Sequence, residues 1–463
     1  TTDDFVKAME DANSIDLSQF KLWYSQAGTP EIHVSRAYDP KDRTYTLTFK
    51  QTCAPTPNQQ DKKPFHIPVA IGLLGKDGKE IMLNQLIPPA RDGSGNCAST
   101  TILELMKTEE TFVFAEIPEE PVPSVLRGFS APVKVKLDLT DEERVFLMAN
   151  DPDEFNRWDA GQQLEIKLIL GLIRDHQAGK PLTLGRSFIE AFGKTLESNM
   201  RDKAFQAFAL ALPAESYLAD FMDVIDPTAI HDVRRFVQKT LAETLKQGFL
   251  AVYRANRETG PYRPDQESIG RRSLKNICLN YLMELDEPDV RKLCMDQYRT
   301  AGNMTDMIVG LANLANTDCP ERRDALASFA DKWKDDPLVM DKWFSIQALS
   351  RLPDTLGTVK ALMKHPVFNI RNPNKVRSLI GAFAGNAVRF HDPTGAGYDF
   401  LAEQVIALDA MNPQIAARMA SAFTTWKRYD EKRKVLMREQ LERILKTPKL
   451  SKDVHEIIVK SLA

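Results

Sequence analysis

The sequence predicts a multidomain, mainly α protein: a small antiparallel β-sandwich followed by a large α-helical superhelix of the HEAT/armadillo type. Three observations predict it. From residue 31 to 139 apolar residues alternate with period two, in short runs bounded by turn residues. From Thr140 onward the period is helical, and the runs are punctuated by Pro, Gly or Asn. That helical part, residues 140–463, is too long for a simple bundle, so stacked helix pairs forming a curved solenoid are expected.

Residues 1–30 read as two short helices. Thr1 and Asp4 have the spacing of a capping pair, and Leu17, Phe20 and Trp23-Tyr24 form an apolar stripe that ends at Gly28-Thr29-Pro30. Residues 31–139 read as an Ig-like sandwich of about seven strands. "TYTLTFKQ" (44–51) alternates Tyr45, Leu47 and Phe49 with polar neighbours, and "FHIPVAIGLL" (65–74) does the same with Phe65, Ile67, Val69 and Ile71. "GKDGKE" (75–80) carries the Asp-Gly of a tight hairpin turn, and "TFVFAEI" (111–117) and "APVKVKLDL" (131–139) add further strands. "DGSGNCAST" (92–100) reads as a flexible loop. Residues 140–463 read as the solenoid, opened by the capping box "TDEE" (140–143). Helical segments then run from Asp153 to Ala178, from Thr183 to Asn199, and on to Leu462. One internal echo fits a helix-pair repeat: "RNPNKVR" and "MNPQIAAR" each place Asn-Pro before an arginine-bearing helix, with the prolines 40 residues apart (373 and 413).

The bulk numbers exclude several classes. A 43% hydrophobic and 27% charged composition is that of a soluble globular protein, and 463 residues imply two or three domains. The formal net charge of -3 offers no nucleic-acid footprint, and no apolar run approaches the ~20 residues that span a bilayer. Five cysteines, odd in number and never in a C-x-x-C pair, predict reduced thiols and a cytoplasmic setting. The polar N-terminus is unlike a signal peptide. A start at Thr1 inside a helical pattern predicts a piece of a longer protein.

No complete catalytic constellation stands in the chain. "HEIIV" (455–459) begins like H-E-x-x-H, but Val459 occupies the place of the second histidine. Gly193-Lys194-Thr195 resembles the tail of a P-loop, but Phe188 stands where the first glycine belongs and the context is helical. No G-x-S-x-G elbow and no activated cysteine are present. The expectation is therefore no catalytic residue, no metal ligand and no cofactor in this chain. What remains is the pair of Asn-Pro helices. Asn372 and Asn412 fit N-caps, and Pro373 and Pro413 fit first-turn positions. Val376, Leu379, Ile380, Phe383, Ala384 and Ala387 form the apolar face of the first helix, with Arg377, Gly381 and Gly385 in line beside it. In the second helix Gln414 and Arg418 share a face. The two glycines are ambiguous: they either admit a neighbouring helix or leave room for a ligand.

"WYSQAGTPEIHV" (23–34) resembles the segment where zinc aminopeptidases of the aminopeptidase N family leave their catalytic domain. "EEPVPSVLRGFSAPVKV" (119–135), "FNRWDAGQQL" (155–164), "GNMTDMIVGLA" (302–312), "LVMDKWFSIQA" (338–348) and "NPNKVRSLIGAFAG" (372–385) are similar to the bacterial members, in the same order across the whole chain. In that family an N-terminal β domain and a thermolysin-like catalytic domain come first and carry H-E-x-x-H and G-x-M-E-N. Neither motif occurs here. The resemblance therefore implies the C-terminal, non-catalytic portion of such an enzyme, inactive alone. Its partners would be the remaining domains of the same enzyme and short peptides, with no nucleic acid or membrane, and zinc would belong to the parent. The resemblance further implies that the helical domain caps the active site and that Arg377, Gln414 and Arg418 line the peptide cavity. The rival expectation is a standalone sandwich-plus-solenoid scaffold that binds proteins on a concave face.

Overall fold

The structure is a computed structural model that describes residues 1–83, 85–87, 98–258 and 260–463. Residues 92–97 of the expected loop, including Cys97, lie outside the described residues; Ala98 bridges Leu83, and Thr100 opens a strand. Two compact units are present: residues 1–164 with 190–195, and residues 165–189 with 196–463.

The first unit opens with the helix Thr2–Asn13, whose Thr1–Asp4 capping box forms as the spacing predicts. A short helix, Leu22–Ser25, follows. Trp23 lies against Phe65 with ring centroids 4.6 Å apart, and its indole N–H donates to the His66 carbonyl at 2.9 Å. Tyr24 stands exposed, outside the expected stripe.

Eight strands are described: β1 (Glu31–Asp39), β2 (Thr44–Thr52), β3 (Ile67–Leu74), β4 (Gln85–Ile87), β5 (Thr100–Leu105), β6 (Glu109–Ala115), β7 (Val122–Val125) and β8 (Lys134–Leu137). They form two sheets, β4-β6-β2-β1-β8 and β5-β3-β7. All pairings are antiparallel except β1 with β8. The alternating residues Tyr45, Leu47, Phe49, Val69, Ile71, Leu103 and Phe114 are buried in one core. The chain turns at "GKDGKE" as expected, with Gly78 at φ +79°. β3 is buried on both sides near its end, where Leu74 packs with Leu147 and Ala160 from the following helices. This explains why the first compact unit runs on past residue 139. The helix Asp141–Asn150 is held by its Thr140–Glu143 capping box, and Glu143 takes both ends of the Arg36 guanidinium at 2.5 and 2.6 Å.

The centre of this unit's polar wiring is Arg127. Its guanidinium is buried and bonds to Ser124 Oγ (2.9 Å), Thr100 Oγ1 (2.7 Å) and Glu80 Oε1 (2.5 Å), with Asp151 3.8 Å away. The turn that delivers it is bent, with Leu126, Gly128 and Phe129 all at positive φ (60°, 62° and 54°). Room for it exists because position 72 in β3 is glycine: an added Cβ would lie 2.0 Å from Arg127 Cζ. Asn156 donates to Ser124 Oγ and to the Val125 carbonyl, which ties the helix Glu154–Gln177 to the same turn.

In the second unit the helices come in pairs, and a regular device marks the first helix of each pair. Asp226, Asp265, Asn303, Asp336, Asn372, Asn412 and Ser451, 33 to 40 residues apart, each accept backbone N–H groups of the turn they precede. The second helices begin at Leu245, Glu287, Cys319, Asp354 and Gly395 without a side-chain cap; Asp430 is the exception. Successive first helices pack on one another: Pro227–Thr244 on Gln266–Met283, then Met304–Ala315, then Pro337–Ala348, then the 373–384 segment. Pro413–Ala420 packs in turn on Lys452–Leu462. The echo at 372 and 412 is thus two members of a longer series.

The segment from Arg371 to His391 departs from a single regular helix. A turn of α-helix, Pro373–Val376, widens into a π turn at Arg377–Gly381, returns to α at Ala382–Ala384, and breaks. Asn386 then caps a new turn, Ala387–Phe390, while its amide donates to the Ala348 and Ser350 carbonyls at 3.0 and 2.8 Å. Val376, Leu379, Ile380 and Phe383 are buried as their spacing predicts. His391 follows in a closed polar cluster. Its ring nitrogens bond to the Tyr398 and Tyr429 hydroxyls (2.9 and 3.1 Å), and Arg433 Nε donates to its carbonyl at 2.8 Å.

Two experiments check these assignments. Gly72→Ala drives a methyl into a buried guanidinium and is expected to destabilise the first unit by about 3 kcal/mol, read as a lower urea midpoint. Gly381→Ala, whose Cβ would meet only the flexible end of Met419 at 3.4 Å and more distant atoms, is expected to stay within about 1 kcal/mol of the parent. The second concerns pH. Burial, reinforced by Arg433 and opposed by Asp430, pushes the His391 pKa down to about 3, whereas an unfolded imidazole titrates near 6.5. Between those values the unfolded chain holds a proton that the native chain lacks. Stability therefore falls as pH drops below 6.5, by up to about 1.4 kcal/mol per pH unit. His391→Gln is expected to flatten the change in unfolding free energy of the second unit between pH 7 and 5.

Candidate functional site

The two Asn-Pro starts meet at one cavity of about 340 Å³, lined by Ile370, Arg371, Pro373, Val376, Leu408, Ala410, Met411, Asn412 and Ile415. Asn372 accepts from the Asn374 N–H at 2.9 Å and Asn412 from the Ile415 N–H at 3.2 Å, so both caps form as the sequence predicts. Gly381 faces Met419 of the second helix. Of the two readings left open for it, admission of a neighbouring helix is the one the packing supports. A Cβ at Gly385 would approach only the Ala382 and Gly381 carbonyls, and the residue serves as the helix end.

Arg377, Gln414 and Arg418 are all exposed, and none of them lines that cavity. Arg377 is folded back on its own helix start: Nε donates to the Pro373 carbonyl at 3.3 Å, and a second nitrogen donates to Asn374 Oδ1. Among the described residues Gln414 and Arg418 have no side-chain hydrogen bond or ion pair. The neighbouring cation Lys375 behaves differently. It is buried, and its ammonium donates to Asp341 Oδ1 and the Pro337 carbonyl, both at 2.7 Å. Lys375, which the sequence pattern does not single out, is a cross-link between helices, whereas Arg377 remains accessible.

Among the described residues no group of three or more His, Cys, Asp and Glu is placed to hold a metal ion. Glu456 of the "HEIIV" segment pairs with Lys460 at 2.5 Å on the last helix. Burial pushes the Cys278 thiol up to about 12, and Cys294 further still, so neither is a ready nucleophile. No described helix is long and apolar enough to cross a membrane.

A second polar assembly was not legible in the sequence. Lys275 Nζ lies 2.6 Å from Asp306 Oδ2, Asn276 donates to Asp306 Oδ1 at 3.0 Å, Gln297 donates to Asn276 Oδ1 at 2.9 Å, and the Tyr253 hydroxyl donates to Gln297 Oε1 at 3.0 Å. It joins four helices and lies beneath a separate cleft. The "GNMTD" motif supplies Asn303 and Asp306, but only the fold brings Lys275 and Tyr253 to them.

This architecture, an Ig-like sandwich followed by a long array of paired helices, defines a recognised class. Residues 141–463 match the model of a domain of unknown function, DUF3458_C, described as ARM repeats, and the chain belongs to that family. Residues 28–138 match the companion DUF3458 model, described as an Ig-like fold. The whole chain is 41% identical to aminopeptidase N of Escherichia coli (strain K12) and 40% identical to aminopeptidase N of Caulobacter vibrioides, covering 52% and 51% of those proteins. It superposes on the crystal structure of Legionella pneumophila aminopeptidase A in complex with aspartic acid with a TM-score of 0.78 and 31% identity, covering 52% of that chain. The chain thus spans about half the length of the relatives it matches, corresponding to their C-terminal part.

The environments of the two arginines and the two caps separate stability from function. Asn372→Ala and Asn412→Ala are each expected to cost about 1 kcal/mol, the usual worth of an N-cap. Arg377→Ala and Arg418→Ala are expected to change the unfolding free energy read from urea melts by no more than about 0.5 kcal/mol, as for exposed residues without buried partners.

Proposed function

We propose that this chain is the C-terminal, non-catalytic part of a cytoplasmic zinc aminopeptidase that removes N-terminal amino acids from peptides. The observation that carries the reading is the match of the entire chain to about half of each aminopeptidase N relative. In this reading the helical domain caps an active site supplied by the preceding domains and shapes the cavity in which a short peptide lies. Zinc, held by those preceding domains, would supply the Lewis-acid chemistry of carbonyl polarisation and water activation; this chain's residues would not enter the bond-making step. Their contribution is positioning. Arg377, Gln414 and Arg418 line that peptide cavity, which is not the cavity of about 340 Å³ at the two Asn-Pro starts, and the two guanidiniums attract the carboxylate end or carbonyls of the peptide. The accessibility of Arg418 and its lack of a partner among the described residues support that role, since a structural arginine would have an ion pair or buried hydrogen bonds. So does the fold-back of Arg377, which keeps its guanidinium at the surface without burying it.

The reading is tested in two ways. The purified 463-residue chain is expected to hydrolyse no aminoacyl reporter and to contain no stoichiometric zinc by metal analysis; tetrahedral zinc at one equivalent would overturn it. In the complete enzyme, Arg377→Ala and Arg418→Ala are expected to lower kcat/KM for tri- and tetrapeptides by roughly tenfold while leaving small aminoacyl amides within about twofold. Equal, negligible effects on both substrate classes would refute the positioning role.

A further inference from the structure

The cleft above the Lys275–Asp306 assembly has a composition that the proposed function does not use. It measures about 340 Å³, at the lower end of the roughly 300–1,000 Å³ typical of small-molecule sites. Its floor is Lys275, Gln297, Asn303 and Asp306. These groups satisfy one another: the lysine pairs with the aspartate, Asn303 Nδ2 also donates to Asp306 Oδ2 at 3.0 Å, and Gln297 donates to the Asp306 carbonyl at 3.1 Å. The floor is therefore rigid and carries no net charge. One wall carries Glu258 and Tyr262. Buried Arg272 anchors it through Glu258 at 2.9 Å, the Arg263 carbonyl at 3.0 Å and the face of the Tyr262 ring at 4.9 Å.

Two charges in the lining are unused. Arg257 and Asp296 are exposed, and among the described residues neither has a side-chain hydrogen bond or an ion pair, nor do they pair with each other within 4.0 Å. Both line this one cleft, as does Tyr253. A lone anion in the cleft would meet Asp296 and Asp306, and a lone cation would meet Arg257 and Lys275. A ligand with both charges a few ångströms apart meets neither penalty. Tyr253 and Tyr262 add aromatic surface for an apolar substituent.

We propose that this cleft binds a free α-amino acid as its zwitterion, with the carboxylate on Arg257, the ammonium on Asp296 and the side chain against the two tyrosines. The argument does not depend on the proposed function, and the site is separate from Arg377, Gln414 and Arg418.

The test is isothermal titration calorimetry of the 463-residue chain with L-leucine, N-acetyl-L-leucine and L-leucinamide. Saturation binding by leucine is expected, with each blocked form at least about tenfold weaker, because each loses one charge-assisted contact. Arg257→Ala and Asp296→Asn, both at exposed positions, are each expected to weaken leucine by about tenfold with an unchanged circular dichroism melt. Arg377→Ala is expected to bind leucine as the parent does. No heat with leucine up to 10 mM (a concentration of about ten times a millimolar Kd), equal binding of all three ligands, or leucine binding indifferent to both cleft substitutions would each overturn the proposal.

Discussion

Every helix in the long C-terminal array begins with N–H groups that no preceding turn can accept, and satisfying them is the constraint on which the array rests. Seven first helices solve it in the same way, with an Asp, Asn or Ser side chain folded over the opening turn. Five of these helices stack in succession and the last two on each other, so a frayed start in one would loosen the helices it packs on. The second helices of the pairs mostly lack side-chain caps, and two of them begin with proline, which has no N–H to satisfy. Cross-links between first helices grow from the same turns. Asp306 lies three residues after its cap and takes Lys275; Lys375 lies three residues after its cap and reaches Asp341 and the Pro337 carbonyl.

The sandwich unit answers a different demand. It must hold a buried cation, Arg127, whose desolvation is offset only if acceptors surround it. Glu80, Ser124 and Thr100 do so, and Gly72 leaves the space. The bent "VLRGF" turn and Asn156 of "FNRWD" belong to one assembly, which gives two of the segments similar to aminopeptidase N a structural reason for their composition. Asp151, beside this cluster, has its pKa raised to about 6 by burial. Its contribution to stability is thus largest below about pH 4 and fades as pH rises through 6, opposite in sign to that of His391.

The accessible side chains follow from what those two structural demands leave over. Five lysines and arginines used as cross-links are buried: Lys275, Arg272, Lys375, Arg433 and Arg127. Arg257, Arg377 and Arg418 are not, and they stand at the cleft and on the helices that the proposals concern. Both proposals place function in charges that the packing does not need.

Much of the architecture was legible in the sequence because it is written in local chemistry. Period-two and helical patterning, the Thr140–Glu143 and Thr1–Asp4 boxes and the Asn-Pro starts act within four residues, so spacing alone predicts them. The longer series of caps escaped because its members differ in residue type and are 33 to 40 residues apart, with connections of unequal length. Only the tertiary structure decided which charges are spent. Whether a lysine is a cross-link or a lysine in water depends on what another helix places within 3 Å, as for Lys375 against Arg377. Likewise Gly72 and Arg127, 55 residues apart, and Lys275 and Asp306, 31 apart, are partners that no local pattern relates. The sequence by itself determined the class of fold, the helix starts and the absence of a catalytic motif from this chain. The tertiary structure decided which side chains remain free to meet a ligand, because burial and pairing are properties of neighbours in space.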